Sequence, residues 1–379
     1  MWWISLLVFL FLAYILLILV YHQGFERTPI IDNSGAGHTS ISIVIPVRNE
    51  AANILDLLQD ISEQAYAKEL FEIIVVDDHS TDQTLSLLYQ FQEAHPELAM
   101  QILELRNAKV EQAFKKAAIE MALANAKGTL ILTTDGDCRV PSHWLRSFAN
   151  YYEQEHCKLM TGPVKFEYTP GRLVEEFQAL DFVCMMGITA GAIQTGLHHM
   201  GNGANLCYER AAFDEVGGYK DNATYASGDD LFLMHKIAAR FPGQVRFVKN
   251  LQAQVVTKPQ ETWSAFLQQR LRWSSKSTAY QEKQMTLILG LVYLVNLLTP
   301  VLLVLGLCYE PARMPLLGIL GIKWFVDLRF LNLVSGFFSM RRLMRSIIPI
   351  GILHIVYIVG VGTLGTLVSF DWKGRKIRR

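Results

Sequence analysis

Long apolar runs lie near both ends of the chain. Residues 2–21 form a run of twenty without a charge, and residues 286–309 and 347–370 form two more, the last interrupted by Pro349, His354 and several Gly. A helix needs about 20 apolar residues to cross a hydrocarbon core of roughly 30 Å. The pattern predicts a transmembrane anchor at 1–22 and a transmembrane region at 285–370.

Two apolar segments leave an alternative open. Residues 315–338 carry Lys323, Asp327 and Arg329, so they form either a tilted span or a helix in the interface, because charge at membrane depth is costly. The first run could be a removable signal peptide. No Lys or Arg precedes it and no small-residue cleavage pattern follows it, which favours a retained anchor.

The middle of the chain alternates between two periodicities. After a polar linker at 23–40, short β-branched runs predict strands at 41–45, 71–76 and 129–133, and apolar residues at helical spacing predict helices at 49–64, 84–91 and 109–126. This alternation predicts an α/β domain at 41–260 with a mostly parallel sheet. Ligands of such a sheet bind beyond the carboxyl ends of its strands.

Composition narrows the class of protein. Apolar residues make up 51% of the 379 residues, and the formal net charge is zero. Without a general basic surface, nucleic acid is not an expected partner. The five Cys are scattered without a CxxC pair, which predicts reduced thiols packed as small apolar residues in a reducing compartment.

Two acidic clusters follow predicted strands. Asp135-Gly136-Asp137 places two carboxylates on a tight turn, which suits a divalent cation such as Mg²⁺ shared with substrate phosphates. A solvated turn is the alternative. In Asp77-Asp78-His79-Ser80-Thr81-Asp82, helix capping would account for Ser80 or Asp82. It would not account for adjacent Asp77 and Asp78, whose repulsion needs a donor such as a base or ribose edge.

Two further motifs follow in the second half of the chain. Gly228-Asp229-Asp230 offers a carboxylate that could remove a proton from a hydroxyl, or a pair that caps the next helix. Gln269, Arg272 and Trp273 share one face of a helix, because they stand at i, i+3 and i+4. The surrounding aromatic, Leu and Arg residues also describe an interfacial amphipathic helix at 261–284.

These motifs in this order resemble the membrane-bound family 2 glycosyltransferases. The match runs from residue 41 to about 276 and rests on Ile45-Pro-Val-Arg-Asn-Glu50, Val75-Val-Asp-Asp-His-Ser-Thr-Asp82, Asp135-Gly-Asp137, Gly228-Asp-Asp230 and Gln269-Arg-Leu-Arg-Trp273. The resemblance implies a GT-A (Rossmann-like) catalytic domain, a nucleotide diphosphate sugar as donor, UDP-linked by expectation, and inversion at the anomeric carbon.

The resemblance also implies roles for individual residues. The general base would be Asp230, with Asp229 beside it and Arg272 offsetting the charge of the leaving group. Asp78 would contact the base and Asp135 the ribose, while Asp137, with Asp135, would hold Mg²⁺ or Mn²⁺. The remaining donor-site residues are Pro46, Glu50, Asp77 and Lys109, and the acceptor-site residues are Gly201, Asn202, Gly203, Gln269 and Trp273.

Localisation follows from the donor and from the charges. Nucleotide sugars are made in the cytosol, so we expect an integral protein of the bacterial inner membrane with a cytoplasmic catalytic domain. Basic residues favour cytoplasmic loops. However, Arg341, Arg342 and Arg345 and the basic tail at 371–379 flank one predicted span. Either this span re-enters the membrane or one basic group is translocated.

Three functions are compatible with this pattern. A glycosyltransferase could add one sugar to a lipid, which we favour, or elongate a polysaccharide as a processive synthase; the acceptor is then a lipid or a growing glycan, and oligomers are possible. A nucleotide-regulated transporter is the alternative from another class, with polar span residues such as Asn296, Lys323, Asp327, Arg329 and His354. It would need neither Asp230 nor Trp273.

Overall fold

The computed structural model describes residues 2–105, 114–219, 229–274, 282–365, 370–372 and 375–377. The chain divides into two compact units. We call Thr28–Glu167 with His199–Lys258 the sheet unit, and Met1–Arg27, Tyr168–His198 and Pro259–Arg379 the helical unit. Residues 168–198, which lie inside the predicted catalytic domain of 41–260, thus belong with the helical unit.

A seven-stranded sheet forms the centre of the sheet unit, in the order β3-β2-β1-β4-β8-β6-β9. Its strands are β1 Ile41–Val47, β2 Phe71–Asp77, β3 Met100–Glu104, β4 Leu130–Thr133, β6 Leu159–Thr161, β8 Leu206–Glu209 and β9 Val245–Phe247. Strands β1 to β4 are mutually parallel, and β8 runs antiparallel to both β4 and β6. The three strands predicted from sequence are therefore neighbours, with β1 between β2 and β4.

Helices and a second sheet complete this unit. The helices are α2 Ile54–Ser62, α3 Thr84–Ala94, α4 Phe114–Asn125, α5 Trp144–Glu155, α7 Arg210–Glu215 and α8 Asp229–Arg240. The second sheet has the order β5-β10-β7, with β5 Cys138–Arg139, β7 Val164–Phe166 and β10 Val255–Thr257. Every residue of β2 is buried, including Glu72, which accepts from Ser42 Oγ at 2.7 Å, and Asp77 at the end of the strand.

The helical unit consists mainly of six long or amphipathic helices in its described part. They are α1 Trp2–Arg27, α6 Leu173–Thr195, α9 Trp263–Ser274, α10 Lys283–Cys308, α11 Arg313–Phe337 and α12 Ile347–Leu364. A hairpin of β11 Phe370–Trp372 and β12 Arg375–Ile377 follows. Helices α1 and α6 approach closely at Gly24 and Gly191, where a Cβ on either residue would collide with backbone atoms of the opposite helix.

Four helices of the described chain are long and apolar enough to cross a membrane: Ile4–Arg27, Leu173–Thr195, Lys283–Cys308 and Arg341–Leu364. Three of them correspond to the apolar runs at 2–21, 286–309 and 347–370. The fourth, in α6, was not predicted. It is 78% buried, whereas Arg341–Leu364 is 11% buried and presents apolar side chains outward.

The charged segment 315–338 forms α11 but is not among these four helices. Two of its charges pair inside the helical unit: Lys323 Nζ lies 2.6 Å from Asp327 Oδ2, and the Tyr14 hydroxyl of α1 donates to Asp327 Oδ1 at 3.0 Å. The Lys323 ammonium also lies 5.1 Å from the centroid of the Tyr14 ring. Pairing of this kind lowers the cost of placing charge among apolar helices.

Candidate active site

Two loops at the carboxyl ends of β1 and β2 are joined by hydrogen bonds. Asn49 donates its backbone N–H to Ser80 Oγ at 3.0 Å, and its side-chain oxygen accepts from the Thr81 N–H at 2.8 Å. The Glu50 N–H donates to Thr84 Oγ1 at 2.8 Å. Asn49 and His79 both have left-handed backbone conformations. These hydrogen bonds fix the loop that follows β1. Two residues predicted to bind the nucleotide sugar lie in or beside it: Pro46 is in β1, and Glu50 is buried in the loop.

Asp82 lies one residue before Gln83, the N-cap of α3, and Gln83 itself makes no side-chain cap hydrogen bond. Asp82 accepts hydrogen bonds from the backbone and the hydroxyl of Thr84 at the first residue of α3, and from the Ala51 N–H. Partial burial raises the pKa of the Asp82 carboxyl, but these hydrogen bonds outweigh it, so the pKa lies below its usual value. Asp82 therefore has a structural role at the start of α3, although it is not the N-cap that the sequence predicted.

The adjacent Asp77 and Asp78 are both buried, and each has its own donor. Asp77 Oδ2 accepts from the Ser80 N–H at 3.1 Å, and Asp78 Oδ1 lies 2.9 Å from His79 Nδ1. Asp77 Oδ1 is buried without a hydrogen-bond partner within the described residues. A buried carboxylate oxygen without a partner is costly. The protein's own donors thus offset part of the repulsion between the two carboxylates. Asp77 Oδ1 stays available to accept a hydrogen bond from a ligand.

The turn Asp135-Gly136-Asp137 directly follows β4, the neighbour of β1. A Cβ at Gly136 would lie 3.0 Å from Glu50 Cγ and from Val47 Cγ1. Glycine at this position therefore lets the acidic turn pack against the β1 loop. The atoms that a side chain at Gly136 would crowd belong to the protein's own Glu50 and Val47.

Lys115, on α4, pairs with the first carboxylate of this turn. Its Nζ lies 2.7 Å from Asp135 Oδ1, with 28% and 39% of the two side chains exposed. The next residue, Lys116, is buried with its ammonium 5.5 Å from the centre of the Phe232 ring of α8. The sequence reasoning had chosen Lys109, which lies outside the described residues, and missed Lys115. The adjacent Lys115 and Lys116, within the helix predicted at 109–126, are the sequence signal that could have pointed to it.

Asp230 lies beside the predicted acceptor loop. The Gly203 N–H donates to Asp230 Oδ2 at 3.0 Å, and the Leu231 N–H donates to Oδ1 at 2.9 Å. Both Asp230 Oδ2 and Lys115 Nζ lie within 3.6 Å of the position that a Cβ would take at Gly203. The structure therefore brings the predicted base, the loop Gly201–Gly203 and the Lys115–Asp135 pair together. Gly228 and the side chain of Asp229 lie outside the described part of the chain.

The acidic turn also has the chemistry of a hard-metal site. Asp137 lines a cavity of about 100 Å³ together with Asn53, Asp56, Arg139, Glu167 and Lys258. Across the described ranges, no group of three or more His, Cys, Asp or Glu is placed to hold a metal ion. Mg²⁺ and similar ions commonly take one or two protein carboxylates, with waters and substrate phosphates as the other ligands. The residues present fit such a site.

Cys138 follows the turn, and its chemistry agrees with oxygen-only ligation. Burial raises the pKa of its thiol far above the ordinary value, and the charges of Asp135 and Asp137 raise it further. The thiol therefore stays protonated. The five cysteines are all free, and Cys138, Cys157 and Cys207 are buried, as predicted for reduced thiols packed in a core.

Gln269, Arg272 and Trp273 lie on α9 in the helical unit, and all three are partly exposed. Gln269 Oε1 is buried without a hydrogen-bond partner in the part of the chain that the structure describes. Arg270, which the sequence reasoning did not select, is buried and pairs with Asp181 of α6 at 3.0 Å. The two arginines of this helix therefore differ: Arg270 is an interior residue, whereas Arg272 is partly exposed.

An α/β unit whose strand ends carry these carboxylates defines a nucleotide-dependent transferase fold of the GT-A type. The family model described as "Glycosyl transferase family 2" matches residues 42–213, and the one described as "Glycosyl transferase family group 2" matches residues 130–358. The second match spans more than half of the chain. This protein therefore belongs to the family 2 glycosyltransferases.

Known proteins agree with this assignment. The chain is 32% identical over 136 residues to glycosyltransferase AglE of Haloferax volcanii, covering 36% of this chain and 43% of that protein. It is 27% identical over 206 residues to a beta-monoglucosyldiacylglycerol synthase of Synechocystis, covering 52% and 40%. The chain thus spans less than half the length of either relative.

A solved structure has a similar fold over nearly the whole chain. It is a mannosyltransferase from Pyrobaculum calidifontis in complex with GDP-mannose and Mn²⁺, with a TM-score of 0.57 and 16% identity, covering 96% of this chain and 99% of that one. At this identity the likeness concerns the fold alone.

Proposed function

We propose that this protein is an inverting, membrane-bound glycosyltransferase that moves a sugar from a nucleotide sugar, UDP-linked by our expectation, to a hydroxyl of a lipid acceptor. The observation that carries the proposal is the convergence of Asp230, the Gly203 backbone and the Lys115–Asp135 pair in the sheet unit. A base, a glycine-lined approach and a cation beside the acidic turn are what glycosyl transfer from a diphosphate requires.

Asp230 would act as the general base. Its two oxygens each accept one backbone N–H, from Gly203 and Leu231, which orients the carboxylate and leaves further lone pairs for a hydroxyl proton. As the acceptor oxygen bonds to the anomeric carbon, its proton passes to Asp230 and the bond to the diphosphate oxygen breaks on the opposite face. Displacement of this kind inverts the configuration at the anomeric carbon.

The donor would lie against the β1 and β2 loops and the acidic turn. Asp77 and Asp78 would receive donors from the base and ribose region, because Asp77 Oδ1 lacks a partner among the described residues. Glu50, Pro46 and Asp135 would complete that pocket. Asp137, with Asp135, would hold a Mg²⁺ or Mn²⁺ ion, whose charge offsets that of the leaving diphosphate. The Mn²⁺ complex of the Pyrobaculum mannosyltransferase is consistent with this assignment.

We assign acceptor recognition in the sheet unit to the loop Gly201–Gly203 and, separately, in the helical unit to Gln269 and Trp273 of α9. Trp273 offers a ring face for a sugar or lipid headgroup, and Gln269 Oε1, which has no hydrogen-bond partner among the described residues, offers an acceptor for a hydroxyl. The apolar outer faces of α10 and α12, with Leu287 75%, Ile348 68% and Val356 66% exposed, suit a bilayer. A relative named as a beta-monoglucosyldiacylglycerol synthase is consistent with the lipid acceptor that we propose.

The test is an assay of the purified full chain in lipid nanodiscs. A panel of UDP-glucose, UDP-galactose, UDP-N-acetylglucosamine and GDP-mannose would be supplied with Mg²⁺ or Mn²⁺, and with diacylglycerol or polyprenyl phosphate in the discs. We expect release of the nucleoside diphosphate and label in a lipid that carries one sugar. A ladder of products on a sizing gel would instead indicate a processive synthase. Absence of transfer with every donor, combined with nucleotide-stimulated solute flux, would indicate the transporter alternative.

A further inference from the structure

The helix that carries Gln269, Arg272 and Trp273 also contains a buried ion pair. Arg270 Nη2 lies 3.0 Å from Asp181 Oδ2, and only 1% and 6% of these side chains are exposed. Asp181 Oδ1 lies 3.4 Å from His354 Nε2 of α12, which is partly exposed. Removing one partner of a buried pair leaves an uncompensated charge, so the pair locks α9 to α6.

The guanidinium of Arg270 is enclosed by aromatic rings. Its central carbon lies 4.3 Å from the centroid of the Trp273 ring, 5.0 Å from that of Phe266 and 5.9 Å from that of Phe182. The Trp273 and Phe182 rings are themselves 6.1 Å apart. The guanidinium therefore lies over one face of the Trp273 indole, and the Asp181 carboxylate is its ion-pair partner. Among the described residues Asp181 Oδ2 and Arg270 Nη2 do not meet hydrogen-bond geometry, so the pairing is one of charge.

We propose that Asp181 and Arg270 are positioning residues for Trp273: the ion pair sets the plane of the indole against which the acceptor would stack. The inference rests on the proposed function for the role of Trp273, but the geometry that it describes lies wholly within the helical unit. Arg270 does not contact substrate in this scheme. It acts through the indole, and Asp181 acts through Arg270.

The first readout needs no activity. The full chain would be labelled with 5-fluorotryptophan, and the ¹⁹F signal that is absent from Trp273→Phe identifies Trp273 among the seven tryptophans. We expect Asp181→Asn to shift and broaden that signal. The matched control is Glu176→Gln, which removes a carboxylate of the same helix that accepts from Ser346 rather than from Arg270. An unchanged Trp273 signal in Asp181→Asn would overturn the proposal.

The second readout separates positioning from support of the fold. With UDP-glucose and diacylglycerol, or the pair that the panel selects, Asp181→Asn should raise the KM for the acceptor about tenfold, within the range of a charge-assisted contact. Acceptor-independent hydrolysis of the donor should stay within about twofold by the same reasoning. Asp181→Glu should recover part of the loss.

An apolar replacement keeps the test informative where the single variant folds poorly. The double variant Asp181→Leu with Arg270→Met removes both charges at once, which buried pairs often tolerate without loss of stability. We expect this double variant to fold, and we expect it to show the same displaced Trp273 signal and the same raised KM for the acceptor as Asp181→Asn. Wild-type behaviour of this variant would show that the pair supports the fold only. If the Trp273 signal were displaced but the KM for the acceptor unchanged, the ion pair would still orient the indole. Trp273 would then not contact the acceptor.

Discussion

Two sets of charged residues, one set from each unit, are placed in opposite ways. In the sheet unit, Lys115, Asp135 and Asp230 stand at the ends of strands and helices and remain partly exposed. In the helical unit, Arg270 with Asp181 and Lys323 with Asp327 are largely buried. Charges that are solvated in part can exchange their partners for a ligand, whereas buried pairs cannot do so without a large cost. The first set therefore suits chemistry, and the second suits alignment of helices.

The sharpest test of this contrast is Asp230→Asn. We expect transfer to fall about 10²-fold to 10⁴-fold, because the amide cannot accept the hydroxyl proton, while donor binding by calorimetry stays unchanged. The matched control is Asp214→Asn, an exposed carboxylate on α7, which should leave transfer unchanged. Near-normal turnover of Asp230→Asn would remove the assignment of the base.

Removal of the metal should have the next largest effect. We expect chelation with EDTA to lower transfer by roughly 10²-fold or more, because metal stabilisation of a leaving group is worth several kcal/mol, and Mg²⁺ or Mn²⁺ to restore it. Asp137→Asn should raise the metal concentration needed for half-maximal activity. Asp56→Asn, which changes an exposed carboxylate of the same cavity, serves as the control. Full activity in EDTA would contradict the metal assignment.

In the helical unit the expected effect is on stability. Lys323→Met leaves Asp327 without its cation, and we expect the free energy of unfolding in detergent to fall by about 3 kcal/mol. Lys323→Met combined with Asp327→Leu should recover most of that loss, since the uncompensated charge is gone. If the single variant were as stable as the wild type, the pair would not be a structural lock, and the contrast between the units would weaken.

The smallest effect is expected for Lys115→Met. Loss of the 2.7 Å contact with Asp135 should lower the rate of transfer about tenfold. A charge-assisted hydrogen bond that is partly exposed contributes roughly 1 to 2 kcal/mol. The control Lys68→Met removes an equally charged partner of an exposed pair with Glu97 and should have no effect. Steady-state rates over a range of donor concentration would measure both, and equal behaviour of the two variants would exclude Lys115 from the site.

The sequence predicted the local elements around the site with small errors. The strand predicted at 71–76 is β2 Phe71–Asp77, and the helix predicted at 84–91 is α3 Thr84–Ala94. Helix α6 escaped prediction as an apolar span, because Glu175, Glu176 and Asp181 interrupt its apolar pattern. In the structure Asp181 is buried in the helical unit and pairs with Arg270, which lies too far along the chain for a local pattern to show it.

Periodicity along the chain determined where strands, helices and apolar spans lie, and the order of acidic motifs determined the family, because both signals are read from neighbouring residues. Only the tertiary structure decided the partners: Lys115 for Asp135, Gly203 for Asp230 and Asp181 for Arg270. These partners are 20, 27 and 89 positions apart along the chain. Charge pairing depends on distance in space and on exclusion of water, and neither quantity is written in the local order of residues.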